Sequence, residues 1–266
     1  MKMILIGTLF AAALFVGILL LLALGRRIGA RNLAREGEIS QKGLGALEGA
    51  IFALLGLVLA FSFSGALARF DARRQLVVEE ANAIGTAWLR VDLLPESARE
   101  PMLDLFRSYL DSRIETYRKV PDMTAVEAEL ARSAGLQGQI RELAVSATPE
   151  NGSPVGQMML LPALNAMIDI TTTRTEAARI HPPLVVFVLL GVLALACALF
   201  AGYDMAVRRR LNPLHSLAFA LVLSVTVYVI VDLEYPRVGL IQVTDSDQAL
   251  TDLRKSMDGS TPPTNP

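Results

Sequence analysis

Few side chains in this sequence have the type and spacing that chemistry requires. His181 and His215 both fall at the borders of apolar stretches. A metal site needs several ligands together, so each reads as an interfacial residue rather than a ligand. Glu79 and Glu80 are sequence neighbours, and on a helix they point about 100° apart, a poor arrangement for paired carboxylates. Cys197 is the single cysteine and sits in an apolar run; one cysteine excludes a disulfide framework or a CxxC site, and a thiol there behaves as a small hydrophobe. The phosphate cradles GxxxxGKS/T and GxGxxG, the zinc motif HExxH and the nucleophile elbow GxSxG are all missing. "NGS" at 151–153 has meaning as a glycosylation acceptor only in a glycosylating host, and "DSDQ" at 245–248 is too short for a calcium loop. No catalytic set, metal or cofactor is expected, and the chain does not read as an enzyme. What remains is a group of arginines, Arg69, Arg73 and Arg74, at the end of an apolar stretch. Their use depends on the elements that carry them.

Of 266 residues, 53% are hydrophobic and only 19% charged, with a mean hydropathy of +0.45. Soluble domains carry about 25% charge, so the partner is the lipid bilayer. A net charge of −1 gives no basic footprint for nucleic acid. Four uncharged stretches, Met3–Gly25, Gly49–Ala68, Pro182–Tyr203 and Leu211–Val231, match the roughly 20 residues a bilayer core requires. The first is too long for a signal-peptide core and is followed directly by Arg26 and Arg27, which favours a retained anchor.

The expected fold is all-α: four transmembrane helices with an extramembrane helical domain between spans two and three. Span one covers 1–25, a basic loop 26–46, span two 47–70, and the extramembrane domain 71–181. Span three covers 182–203, a second basic loop 204–212, span four 213–232, and a C-terminal segment with a disordered Ser/Thr/Pro tail 233–266. In the extramembrane part, Leu103, Phe106, Leu110, Ile114 and Tyr117 recur at helical steps over 95–120. Cap-type residues open a second helix over 122–147, "TPENGSP" (148–154) is a loop, and 155–183 is helical again with Pro162 as a possible bend. Arg26, Arg27, Arg31, Arg35 and Lys42 in one loop and Arg208, Arg209 and Arg210 in another favour the cytoplasm for that side. Arg69, Arg73, Arg74, Arg174 and Arg179 on the other side leave a narrow margin.

On a helical wheel, span two shows three faces. Gly56, Ala60, Ser64 and Ala68 form a row of small residues at four-residue steps, of the kind that lets helices approach closely in lipid. Phe52, Leu59, Phe63 and Phe70 form a bulky stripe beside it, and Ser62, Arg69 and Arg73 a polar one. The bulky stripe reads either as bundle packing with snorkelling arginines or as a hydrophobic constriction of a pore. Beyond Arg74, Leu76, Ala83, Trp88 and Leu93 keep helical spacing until Pro95. One helix is therefore expected to leave the membrane and run on to about residue 94.

Three blocks, "LLGLVLAFSFSGALARFDARRQLVVEEANAIGTAWLRVDLLP" (54–95), "LPALNAMIDITTTRTEAARIHPP" (161–183) and "VYVIVDLEYPRVGLI" (227–241), resemble an uncharacterised bestrophin-like family of bacterial integral membrane proteins. More distantly, span two and the element Asp232, Glu234, Pro236 and Gly239 resemble bestrophin anion channels. That resemblance implies a homo-oligomer, a pentamer of four-span subunits in the bacterial inner membrane, passing anions or other small ions. It makes Phe52, Leu59 and Phe63 neck candidates and Arg69, Arg73 and Arg74 a basic pore mouth that attracts anions. The chain departs from bestrophins in retaining only Phe70 of the aromatic-rich pattern after the span. Its basic loops also favour an external helical domain, whereas bestrophins keep theirs in the cytosol. The alternative is a non-conducting assembly or sensing module that binds a partner through its helical domain; a third reading is an enzyme whose site has no motif.

Overall fold

The computed structural model describes residues 2–36, 44–147, 154–207, 213–243 and 246–259. Among these, eight α-helices and no strand are present: α1 (Lys2–Glu36), α2 (Leu44–Leu89), α3 (Glu96–Arg118), α4 (Met123–Ser146), α5 (Pro154–Arg179), α6 (Leu184–Asp204), α7 (Pro213–Glu234) and α8 (Gln248–Asp258). Gly7–Arg35, Gly45–Leu93, Met158–Asp204 and Pro213–Glu234 each hold a stretch long and apolar enough to cross a membrane. The fold is the all-α, four-span arrangement with an extramembrane helical domain. The expected glycosylation motif, Lys42, Arg208–Arg210 and the tail from 260 lie outside the described residues.

The chain divides into two compact units, Met1–Phe70 with His181–Ile241, and Asp71–Ile180 with Gln242–Pro266. In the first, α1 packs along α6 and α7. Its core joins Leu14, Ile18 and Leu22 of α1, Leu55 of α2, Ala194, Cys197 and Ala198 of α6, and Ala220 and Val227 of α7. Cys197 is a buried free thiol, a small packing residue. Lipid gives apolar side chains little reason to leave it, so helix association there depends on close backbone approach. Gly25 and Gly202 supply it reciprocally: a Cβ on Gly25 would overlap the Leu199 carbonyl, and one on Gly202 the Leu22 carbonyl. The basic segment expected as a loop from residue 26 is helix as far as Glu36. "RRIGARNLARE" holds no proline and one glycine, Gly29, which is itself pressed against the Tyr203 backbone.

In the second unit α2 ends in a turn of 3-10 helix, Arg90–Leu93, before Pro95, because the residue preceding proline avoids helical geometry. Asp122 caps α4 by accepting from the Ala125 N–H at 3.2 Å. Pro162 lies inside an α5 that remains one helix. The buried face of α3 is rotated from the expected stripe: Met102, Phe106, Tyr109, Leu110, Arg113 and Thr116 are inside, while Leu103 and Ile114 are only half-buried. An apolar-only periodicity misses a buried arginine and threonine. The C-terminal segment also contains a helix, α8, which buries Leu250 and Met257 and sets Leu253 against Gly85.

Candidate functional site

The membrane stretch of α2 is the least enclosed of the spans. Its buried side chains are Leu55, Ala66 and Phe70. The bulky stripe divides. Phe52 and Leu59 lean on the unit's own core, Phe52 meeting Phe219 edge to face at 6.4 Å. Phe63 is 40% exposed, and Phe61, which the wheel placed on no stripe, is 69% exposed. Gly56, Ala60, Ser64 and Ala68 are all exposed, and a Cβ on Gly56 would meet nothing within 4 Å. Among the described residues Gly56 thus has no close neighbour, in contrast to Gly25 and Gly202.

The border arginines have different partners. Arg69 grips Glu234, with Nε 3.0 Å from Oε1 and 3.2 Å from Oε2, and Nη2 2.5 Å from Oε1. A forked guanidinium–carboxylate contact is among the stronger ion pairs, and Glu234, fully buried, requires it. His181 stacks on Tyr235 with ring centroids 4.6 Å apart, and its Nδ1 is 3.7 Å from Glu234 Oε2. The neighbouring Asp232 accepts from the backbone N–H groups of Leu240 (3.0 Å) and Ile241 (2.8 Å). Gly239 lets the chain fold over that carboxylate, since a Cβ there would collide with it. The element Asp232, Glu234, Pro236, Gly239 is therefore a turn organised around two carboxylates.

In the second unit Arg73 donates to the carbonyls of Ala177 (3.2 Å) and Ile180 (2.7 Å), closing the C-terminal end of α5. Arg74 is about half exposed, with Asp71 at 3.7 Å and Ser246 Oγ at 3.5 Å. The most concentrated charge lies deeper. Glu80, fully buried, accepts from Arg113 Nε at 2.5 Å and from Arg174 Nη1. Arg174 also reaches Asp247 at 3.2 Å and lies over the Tyr117 ring at 3.6 Å. Arg113 donates to the Tyr117 hydroxyl at 2.8 Å.

Burial alone would raise the Glu80 carboxyl, but the Arg113 and then the Arg174 guanidinium outweigh it and hold it below the ordinary carboxylate range. Arg113 is correspondingly driven up: burial opposes its charge, and Glu80 more than offsets that. Nearby, burial pushes the Tyr109 phenol up; its hydroxyl is 2.9 Å from Thr171 Oγ1 and 3.0 Å from Gln137 Nε2. Glu80, a poor carboxylate pair with Glu79, is thus matched to Arg174, a charge flanking span three, and to Arg113. Arg113 has a signal in the sequence: it lies three residues after Leu110 and four before Tyr117, inside the apolar register. These groups neutralise one another and leave no unpaired nucleophile or base. Among the described residues no cluster of three or more His, Cys, Asp or Glu is placed to hold a metal.

No curated protein matches the sequence. Solved structures do. Crystal structures of two variants of a bacterial bestrophin homologue from Klebsiella pneumoniae match with TM-scores of 0.66 and 0.64 at 14% and 15% identity. Each covers 92% of this chain, with 99% and 98% of the other covered. A variant structure described only as a membrane protein matches with TM-score 0.64 at 15% identity, over 95% of this chain and 99% of that one. At such identities the likeness is one of fold. The Bestrophin-like domain matches residues 11–248, most of the chain. This chain belongs to the bestrophin-like family.

Proposed function

We propose that the protein is an oligomeric channel for small ions in the bacterial inner membrane, with α2 lining the pore. The observation that carries this reading is the open half of α2: Gly56, Ala60, Ser64 and Ala68 are all exposed, and among the described residues a Cβ on Gly56 would meet nothing within 4 Å. A small-residue row in lipid is suited to close contact with another helix, and a second copy of α2 offers one. A ring of subunits, five as the bestrophin resemblance implies, brings these helices around one axis. Phe63, the exposed member of the stripe, then contributes to an apolar neck of the kind that gates by dewetting, backed by Phe52 and Leu59, which lean on their own core. Arg69 contributes little net charge to the mouth, since Glu234 neutralises it. Anion attraction rests more on Arg74, the most exposed of the border arginines.

Chloride flux through purified protein in liposomes tests the reading, with Phe63→Ala measured beside the parent and oligomer size determined by light scattering. Flux that rises in the variant supports a constriction at Phe63. No flux from either protein, in vesicles holding intact oligomer, overturns the channel and favours the non-conducting assembly.

A further inference from the structure

One apolar groove in the membrane unit is unrelated to the open face of α2. It has a volume of about 700 Å³, within the range of small-molecule sites. One wall is a single face of α1, where Leu19, Leu22, Ala23 and Arg26 follow at helical steps, and the other is the first turns of α7, with Ser216 and Leu217. The walls are apolar except at one end. Among the described residues that line the groove, Arg26 is the one charged side chain and none is acidic. Arg26 is also the first charge after 23 uncharged residues of α1, the depth at which a spanning helix meets lipid headgroups. It is exposed.

We propose that this groove holds one acyl chain of an anionic phospholipid, with the lipid phosphate on Arg26. The apolar walls match the chain, and the positive charge of Arg26 at one end matches a headgroup of net negative charge. A guanidinium binds phosphate oxygens two at a time, with geometry that a lysine lacks. The Ser216 hydroxyl adds a second polar group to an otherwise apolar lining.

The test is lipid retention by the full-length protein. Protein reconstituted in vesicles of equal phosphatidylglycerol and phosphatidylcholine is re-extracted, and the lipid bound per chain is counted by native mass spectrometry. The parent protein should retain phosphatidylglycerol in excess over phosphatidylcholine. Arg26→Gln should lower that excess about fivefold, the effect of roughly 1 kcal/mol per cation at an anionic membrane surface. Arg27→Gln, about 100° away around the helix, should leave it unchanged. Ala23→Trp, which fills the groove, should release the retained lipid of both kinds. Equal retention of the two lipids by the parent, an equal loss in Arg27→Gln, or undiminished retention in Ala23→Trp would each overturn the site. None of these readouts depends on conduction.

Discussion

Glu80 and Arg113 stand 33 residues apart in the chain, are both fully buried, and meet at 2.5 Å. Arg174 approaches the same carboxylate from a third helix. The cluster fastens α2, α3 and α5 at one point, and through Asp247 it also holds the residue that precedes α8. Buried ion pairs add little stability compared with well-packed apolar groups, but removing one partner strands the other. Glu80→Leu is therefore expected to cost about 3–5 kcal/mol, read as a fall in the thermal midpoint of the full chain in detergent. A loss below 1 kcal/mol would mean that the two guanidiniums find other partners.

The same carboxylate gives a pH dependence with a definite sign. Its folded-state pKa is lowered from the ordinary 4.5, so its contribution is fully present above that value and is lost as pH falls through the folded-state pKa. Acidification below about pH 4.5 should destabilise the parent protein more steeply than Glu80→Gln, which has no proton to gain there. Parallel slopes in the two proteins would remove Glu80 from the acid response.

Arg69 and Glu234 form the corresponding contact in the membrane unit. Arg69→Gln takes the forked guanidinium away from the buried Glu234 carboxylate, so it should destabilise the protein more than the double variant Arg69→Gln/Glu234→Gln. Contacting residues couple by about 0.5–3 kcal/mol in such cycles, and thermal unfolding of the four proteins measures the term. Additive losses would show that the pair is not coupled.

Two glycines on different helices should fail in different ways. Gly25→Ala forces a Cβ into the Leu199 carbonyl, where overpacking costs about 1–3 kcal/mol or more, so the folded subunit itself should be lost or weakened. A Cβ on Gly56 meets nothing within 4 Å among the described residues, so Gly56→Leu should leave the subunit folded while reducing oligomer size by light scattering. An oligomer unaffected by Gly56→Leu would remove that row from the subunit interface.

The small residues show what a wheel can and cannot decide. Gly56, Ala60, Ser64 and Ala68 repeat at a regular four-residue interval, and that row is the exposed one. Gly25 and Gly202 lie far apart in the chain and carry no local signature. Their importance arises where α1 and α6 cross. In the same way, the apolar rhythm of α3 located the helix but not its buried face, because Arg113 and Thr116 are inside for reasons of pairing.

The class of this protein is legible in its residues alone: four uncharged apolar runs long enough to cross a bilayer, a polar interval that keeps helical period, and a second span that continues past Arg74 without a breaker. These are local properties, set by hydropathy and backbone preference within about twenty residues. Tertiary structure alone decided the fates of the charges. Arg69 is neutralised by Glu234, Arg73 is taken up by the α5 carbonyls, and Glu80 is enclosed by two arginines from other helices. A charge in sequence has no partner until distant segments meet, and burial makes that partner obligatory.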